Sequence, residues 1–274
     1  MAVEGFAYKL SETTPSQIVN LLAQAPNHTT LHFIDAEHRP IPLEAYLTIL
    51  KACKRRGFRA VLTVQLLRPE GIQTVENFLQ AVSGLERWAG LALVPGVVNH
   101  YFKLESSNLA GLWRERIFQV LPRLSQKGLP VFLGGSGRKM VEANVEAWRK
   151  FSWVKLYALQ GLHEKYAEAG EALYVYLPLT VCQSLGEAAR IYANYIARRL
   201  KTAADHFLKE LEKSQVALQL AERFIAYAPP GRIAETLQKF KDRMVVKVSG
   251  LAEPAEAYLQ VFQKLKLSFH KDSG

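Results

Sequence analysis

The sequence predicts an α/β protein of the (β/α)8 TIM-barrel class, and three observations point there. Short apolar runs alternate with longer amphipathic segments almost to the end of the chain. Several runs, such as Ala60-Val61-Leu62-Thr63-Val64, are apolar without alternation, as parallel strands buried on both faces are. The length, 274 residues, suits one barrel domain over 1–274, a fold that takes about 250. An open doubly wound sheet competes, and strand counting alone does not separate the two.

The strands are expected at Phe6–Lys9, Leu31–Asp35, Arg59–Gln65, Leu91–Pro95, Val131–Gly134, Trp153–Ala158, Tyr174–Thr180 and Val245–Ser249. Helices are expected between them at Pro15–Gln24, Pro42–Arg56, Thr74–Trp88, Ser107–Gln126, Arg138–Lys150, Gly161–Gly170 and a long Ser184–Ala221. Gly231–Asp242 leads to the last strand, Pro254–Leu265 follows it, and His270–Gly274 is expected to fray. Leu43, Leu47, Leu50 and Cys53 recur at helical spacing while Glu44, Lys51 and Lys54 face away, the pattern of a helix with one buried side. Phe224–Tyr227 reads as a further extended segment, which leaves the strand count open by one.

Composition narrows the function classes. Hydrophobic residues make up 49% of the chain, too many for disorder, yet no run approaches the roughly 18 apolar residues of a membrane span. The first residues lack a signal peptide's basic and apolar regions, so a cytoplasmic protein is expected. Cys53 and Cys182 have no companions at metal-ligand spacing, so zinc is not expected, and a disulfide between them, though open, is not the default in a cytosolic protein. The net charge of +10 suits an anionic partner. The basic residues are scattered, however, and the two clusters, Lys54–Arg56 and Arg198–Lys201, lie near helix ends where cations complement the dipole. This argues against nucleic acid.

Ligands of parallel barrels bind at the C-terminal ends of the strands. Those ends carry Asp35, Glu37 and His38; Gln65; Asn99, His100 and Tyr101; Gly134–Arg138; Tyr157 and Gln160; and Thr180, Gln183 and Ser184. Asp35, His38 and His100 are the acid–base candidates, each set against a solvated or rim position. Tyr157 and Tyr176 read as core or pocket wall. In Gly134-Gly135-Ser136-Gly137-Arg138 a strand runs through glycines into a helix, so backbone amides, the helix dipole and Arg138 or Lys139 can meet an anion. The same residues also make a tight turn that merely needs glycine. No nucleophile elbow or P-loop is present, which argues against hydrolase and NTPase chemistry.

The segment Leu129–Met140 resembles the phosphate-binding segment of the bacterial-luciferase-like family, which includes F420-dependent reductases such as the archaeal methylenetetrahydromethanopterin reductases. Leu91–Tyr101 resembles the strand end that supports that family's flavin or deazaflavin ring. Gly57–Leu62 and Ala228–Leu237 resemble two further family segments in the same order. The resemblance implies F420 or FMN, with the phosphate on Gly134, Gly135, Ser136, Gly137 and Arg138. The ring would lie near Gly96, Val97 and Asn99, with a non-proline cis bond at Gly96–Val97. It implies hydride transfer to a small substrate and, by analogy, a homodimer. Two departures stand against it. Gln65-Leu66 occupies the place of the family's Asp-His, so the catalytic histidine is missing. The chain also passes from Asn99–Tyr101 through one helix to Pro130, which implies a shortened or rearranged barrel, with the unit Phe6–Gln24 as the replacement strand. A barrel that binds or assembles without catalysis is therefore the alternative.

Overall fold

A computed structural model of the protein describes residues 3–9, 13–26, 30–34, 42–96, 106–135, 137–192, 215–240, 243–250 and 253–271. Its strands are β1 (Val3–Lys9), β2 (Thr30–Ile34), β3 (Arg59–Gln65), β4 (Ala89–Val94), β5 (Val131–Gly134), β6 (Lys155–Leu159), β7 (Leu173–Val181), β8 (Ala226–Ala228) and β9 (Arg243–Gly250). All pair in parallel. β1 to β7 and β9 close into an eight-stranded ring, β1-β2-β3-β4-β5-β6-β7-β9, with helices around it: a TIM barrel. The N-terminal unit supplies the closing strand, because β1 lies between β2 and β9. The extended segment near Phe224 is real but lies outside the ring, where β8 joins β7 at Leu179–Val181, beyond the part of β7 that pairs with β6.

The surrounding helices are α1 (Pro15–Leu22), α2 (Leu43–Arg55), α3 (Gly71–Ala81), α4 (Ser106–Ser125), α5 (Arg138–Lys150), α6 (Leu185–Ile191), α7 (Gln215–Phe224), α8 (Ile233–Gln238) and α9 (Pro254–Lys271). Thr14 starts α1 with a reciprocal cap, its hydroxyl accepting from the Gln17 amide while the Gln17 side chain accepts from the Thr14 amide. Three expectations need correction. The helix expected to end at Trp88 stops at Ala81, and only a 3-10 turn, Glu86–Trp88, precedes β4. The link expected as a helix over Gly161–Gly170 is a 3-10 segment, His163–Ala172, broken at Tyr166 and at Gly170, whose φ is 49°. The C-terminal helix, expected to fray from His270, continues to Lys271, and 272–274 lie outside the described residues. Of the long helix expected over Ser184–Ala221, Leu185–Ile191 and most of Gln215–Phe224 are helical, and the stretch 193–214 lies outside the described residues. Among the described residues no helix is long and apolar enough to cross a membrane.

Alternation along each strand builds two cores. Phe6, Leu31, Leu62, Leu91, Leu133, Leu156, Leu177 and Val246 belong to the large core shared with the helices. The opposite faces fill the lumen with Val61, Ala92 and Phe132, packed by Tyr157 and Tyr174. Phenols stitch the layers together: Tyr46 on α2 donates to the Ala60 carbonyl at 2.8 Å, and Tyr258 on α9 donates to the Ala7 carbonyl while accepting from the Val248 amide. Both cysteines are free and buried, Cys53 in the main core and Cys182 in a separate cluster with Ala188 and Phe224.

Candidate active site at the C-terminal mouth of the barrel

β5 ends at Gly134, and Gly135 and Gly137 lead into α5. Gly137 is the N-cap, with φ −75° and ψ 141°, and no side chain caps the helix. A Cβ there would meet only the Met140 side chain at 3.9 Å, an ordinary contact. Neither conformation nor packing therefore demands glycine at 137, where serine, threonine, aspartate or asparagine is the usual residue. Gly134 and Gly135 are different. A Cβ on Gly134 would stand 3.0 Å from Val94 Cγ1, and one on Gly135 would stand 3.3 Å from Asn144 Nδ2.

A buried chain of side chains holds this turn from behind. Trp113 Nε1 donates to Asn144 Oδ1 at 2.8 Å, Asn144 Nδ2 donates to the Tyr166 hydroxyl at 3.1 Å, and that hydroxyl donates to the Gly135 carbonyl at 2.9 Å. Burial pushes the Tyr166 phenol up to about 12, so it remains a donor at any working pH. Arg138, expected to meet the anion, projects into solvent with its side chain 90% exposed and pairs with Glu142 one turn along α5. Its charge thus acts on the turn from the rim.

β4 ends beside it. Gly96 has φ 87°, a conformation that favours glycine, and a Cβ there would stand 2.7 Å from Gln65 Oε1. Gln65 is held in turn by Arg68 Nε, which donates to the same oxygen at 2.8 Å. Gln65 and Leu66 part company at the strand end. Gln65 is buried outside the main core, whereas Leu66 is buried within it, and the Leu66 carbonyl accepts from Arg116. A proton donor at 66 would therefore sit in the apolar outer core, and Gln65 is the residue nearer the mouth.

The polar groups that gather in the lumen lie mostly elsewhere. Lys247 on β9 is only 4% exposed, and its Nζ donates to Ser249 Oγ at 2.7 Å. Ser249 shares a 3.0 Å hydrogen bond with the half-buried Tyr192 hydroxyl at the end of α6. Thr180, in register with Ser249, is fully buried, and its hydroxyl has no hydrogen-bond partner among the described residues. Also in the lumen, His32 stacks on Tyr157 with centroids 5.4 Å apart and meets the edge of Phe132 at 5.1 Å. Among the described residues, neither His32 nitrogen nor the Tyr157 hydroxyl has a hydrogen-bond partner. Desolvation lowers the His32 pKa to about 3 and raises that of Tyr157, so both are neutral.

The structure thus brings Gly96, Gly134, Gly135, Gly137 and Arg138 to adjacent strand ends. Asp35, Glu37, His38, Val97, Asn99, His100, Tyr101 and Ser136 lie outside the described residues, and with them the bond Gly96–Val97. The sequence reading passed over Lys247, Ser249 and Tyr192. The signal was there in Val245-Val246-Lys247-Val248-Ser249, whose alternation sets lysine and serine on one face and Val246 and Val248 on the other. Among the described residues no three potential metal-ligating side chains cluster.

These features define a parallel barrel with polar groups at the C-terminal mouth, where such barrels place their sites. No protein-family model and no curated protein matches the chain. Among solved structures, 3-keto-D-glucoside 4-epimerase from E. coli is similar with a TM-score of 0.51 at 9% identity, over 97% of this chain and 99% of that one. A xylose isomerase domain containing protein from Salmonella typhimurium gives 0.49 at 12% identity, over 97% and 96% of the two chains. D-psicose 3-epimerase gives 0.48 at 12% identity, over 96% and 97%. At such identities the likeness is one of fold, which many chemistries share. None of these neighbours belongs to the luciferase-like family.

Proposed function

We propose that this barrel binds a phosphate-bearing small molecule across its C-terminal mouth, with the phosphate on the turn from Gly134 to Arg138. One observation carries the reading: Gly137 leaves the N-terminus of α5 without a side-chain cap where fold and packing would accept one. Open amides at the start of a 13-residue helix are donors suited to an anion. Arg138 and Lys139 add positive charge at the rim. The Trp113–Asn144–Tyr166 chain fixes the Gly135 carbonyl and so the direction of the turn.

The resemblance of Leu129–Met140 and Leu91–Tyr101 to luciferase-like segments supports F420 or FMN as the bound cofactor, with Gly96 at the edge of its ring. Bound there, such a group supplies hydride transfer to a small substrate. The chain's own part is to hold the phosphate, orient the ring and exclude water. A second reading, binding without turnover, is favoured by Leu66, which lies in the apolar core at the family's proton-donor position.

The test is a titration with F420, FMN and inorganic phosphate, followed by fluorescence or calorimetry, of the natural chain and of Gly137→Ser. Serine caps a helix at least as well as glycine, so the melting temperature is expected to hold or rise. Its hydroxyl competes for the open amides, so affinity is expected to fall about tenfold or more, the scale of one charge-assisted hydrogen bond. No binding of any probe, or equal affinity in the variant, rejects the phosphate site. Binding without hydride transfer to any tested acceptor selects the second reading.

A further inference from the structure

The basic residues are scattered along the sequence but gathered by the fold. Arg59 opens β3 beside Thr30, the first residue of β2, Lys155 opens β6 beside Phe132, and Arg243 opens β9 beside Tyr174. The connections leading into the strands carry more: Arg56 before β3, Arg87 before β4, Lys127 before β5, Lys150 before β6 and Lys239 before β9, all exposed. Cations therefore line the N-terminal end of the barrel, opposite the glycine turn, from β3 round to β6 and again at β9. Carboxylates do not match them. At this end Glu4 pairs with Arg243 and Glu168 with Arg149. Glu146 and Glu235 lie near Lys150 and Lys239 but are engaged by Arg114 and Arg232. Arg87, Lys127, Lys150 and Lys239 form no ion pair among the described residues. Cations at helix C-termini complement the dipole, and that accounts for Lys150 and Lys239 taken singly. It does not account for Arg59, Lys155 and Arg243, which open strands, or for Arg87, which sits in a 3-10 turn.

We propose that this N-terminal end of the barrel docks on an anionic lipid surface. The cations spread over the end of a cylinder, which suits a plane, whereas a nucleic-acid duplex is a rod and meets a stripe. Single strands need open aromatic faces for their bases. Here Trp88 packs against the core with Arg87 over its ring at 5.1 Å, and Lys150 lies over Phe151 at 5.7 Å. Long basic side chains reach the headgroup phosphates while their stems stay on the protein. Each cation held near an anionic leaflet tightens partitioning about fivefold. The half-buried Trp88 and Trp153, at the same end, suit the headgroup level. The mouth with the glycine turn then faces away from the lipid, so the docking stands whether or not a phosphate occupies that turn.

The experiment sediments the whole protein with vesicles of phosphatidylcholine containing about one-third phosphatidylserine, and with vesicles of phosphatidylcholine alone. Binding to the anionic vesicles only is expected, weakening steeply as salt rises, and this needs no variant. Lys127→Gln with Lys239→Gln removes two exposed cations from separate connections. That double variant is expected to bind about 25-fold more weakly with an unchanged melting temperature. Lys139→Gln with Lys165→Gln removes the same charge at the start of α5 and beside Tyr166, away from the proposed face, and is expected to bind nearly as the natural chain does. No binding to anionic vesicles, equal binding to both kinds, or equal losses in the two double variants overturns the proposal. A larger loss in Lys139→Gln with Lys165→Gln moves the contact to the glycine turn and overturns it too. A DNA duplex bound more tightly than the vesicles, per phosphate, gives the face to nucleic acid instead.

Discussion

The Tyr166 hydroxyl donates to the Gly135 carbonyl at 2.9 Å across 31 residues of sequence, and it is the last member of a buried chain that begins at Trp113. The link ties an irregular 3-10 segment to the glycine turn. Tyr166→Phe would leave the Gly135 carbonyl and one Asn144 proton without their partner. The expected loss of stability is about 1–3 kcal/mol, measured by urea unfolding, with weaker phosphate binding at the turn. A change near zero would mean that water replaces the phenol at no cost.

Two glycines with positive φ should respond differently to alanine. Gly57 has φ 75° and open space around a Cβ, so Gly57→Ala pays only for the backbone, roughly 1 kcal/mol. Gly96→Ala adds a clash with Gln65, the nearest atom being 2.7 Å away, and Gln65 is tethered by Arg68. Thermal melts are expected to place Gly96→Ala clearly below Gly57→Ala. Equal losses would show that Gln65 moves aside freely.

Stability should fall in acid through His32. Its folded pKa lies near 3, below the ordinary 6.5, because burial disfavours the cation. Between those values the unfolded chain binds the proton and the folded chain does not. The stability is therefore fully present above pH 6.5 and is lost as pH falls towards 3, by up to about 1.4 kcal/mol per pH unit. His32→Phe keeps the aromatic contacts with Phe132 and Tyr157 and removes two nitrogens that have no partner among the described residues. Its stability is expected to drop by about 2 kcal/mol less than that of the natural chain between pH 7 and pH 5, read from urea unfolding. Parallel pH dependences in the two proteins would remove His32 from the account.

The thiols should be silent in the folded protein. Burial pushes Cys53 up to about 12, and Cys182 is raised as well, chiefly by burial. A thiol-exchange reagent at pH 8 is expected to find no fast-reacting group until denaturant is added, after which both react. Rapid labelling of Cys53 without denaturant would show that α2 opens locally.

Much of the ring was legible because its signals are local. Arg59–Gln65, Val131–Gly134 and Arg138–Lys150 fall where the apolar runs, the glycines and the amphipathic spacing put them. The 3-10 link before β7 was harder, since His163–Ala172 is helix-forming in composition apart from Gly170, and the breaks at Tyr166 and Gly170 appear only in the backbone. The glycine turn was legible as a turn, but only coordinates separate Gly137, which the fold does not need, from Gly134 and Gly135, which packing does. Lys247 was passed over because one lysine in a run of valines reads as a strand with a solvated edge. Its meaning depends on which face closes inward, and β1, more than two hundred residues away in the chain, helps decide that.

The pairing of β1 with β9 has a consequence for how the protein is made. β1 leaves the ribosome long before Arg243–Gly250 and must wait for it before one of its edges is satisfied, and Tyr258, which spans both strands, arrives later still. Until then the nascent chain is an open parallel sheet with an unpaired border at each side, the form most prone to join a neighbouring copy. Translation arrested before residue 243 therefore yields a sticky open sheet of seven of the eight ring strands rather than a smaller barrel, and a circular permutation that makes β9 and β1 contiguous would let that seam form first.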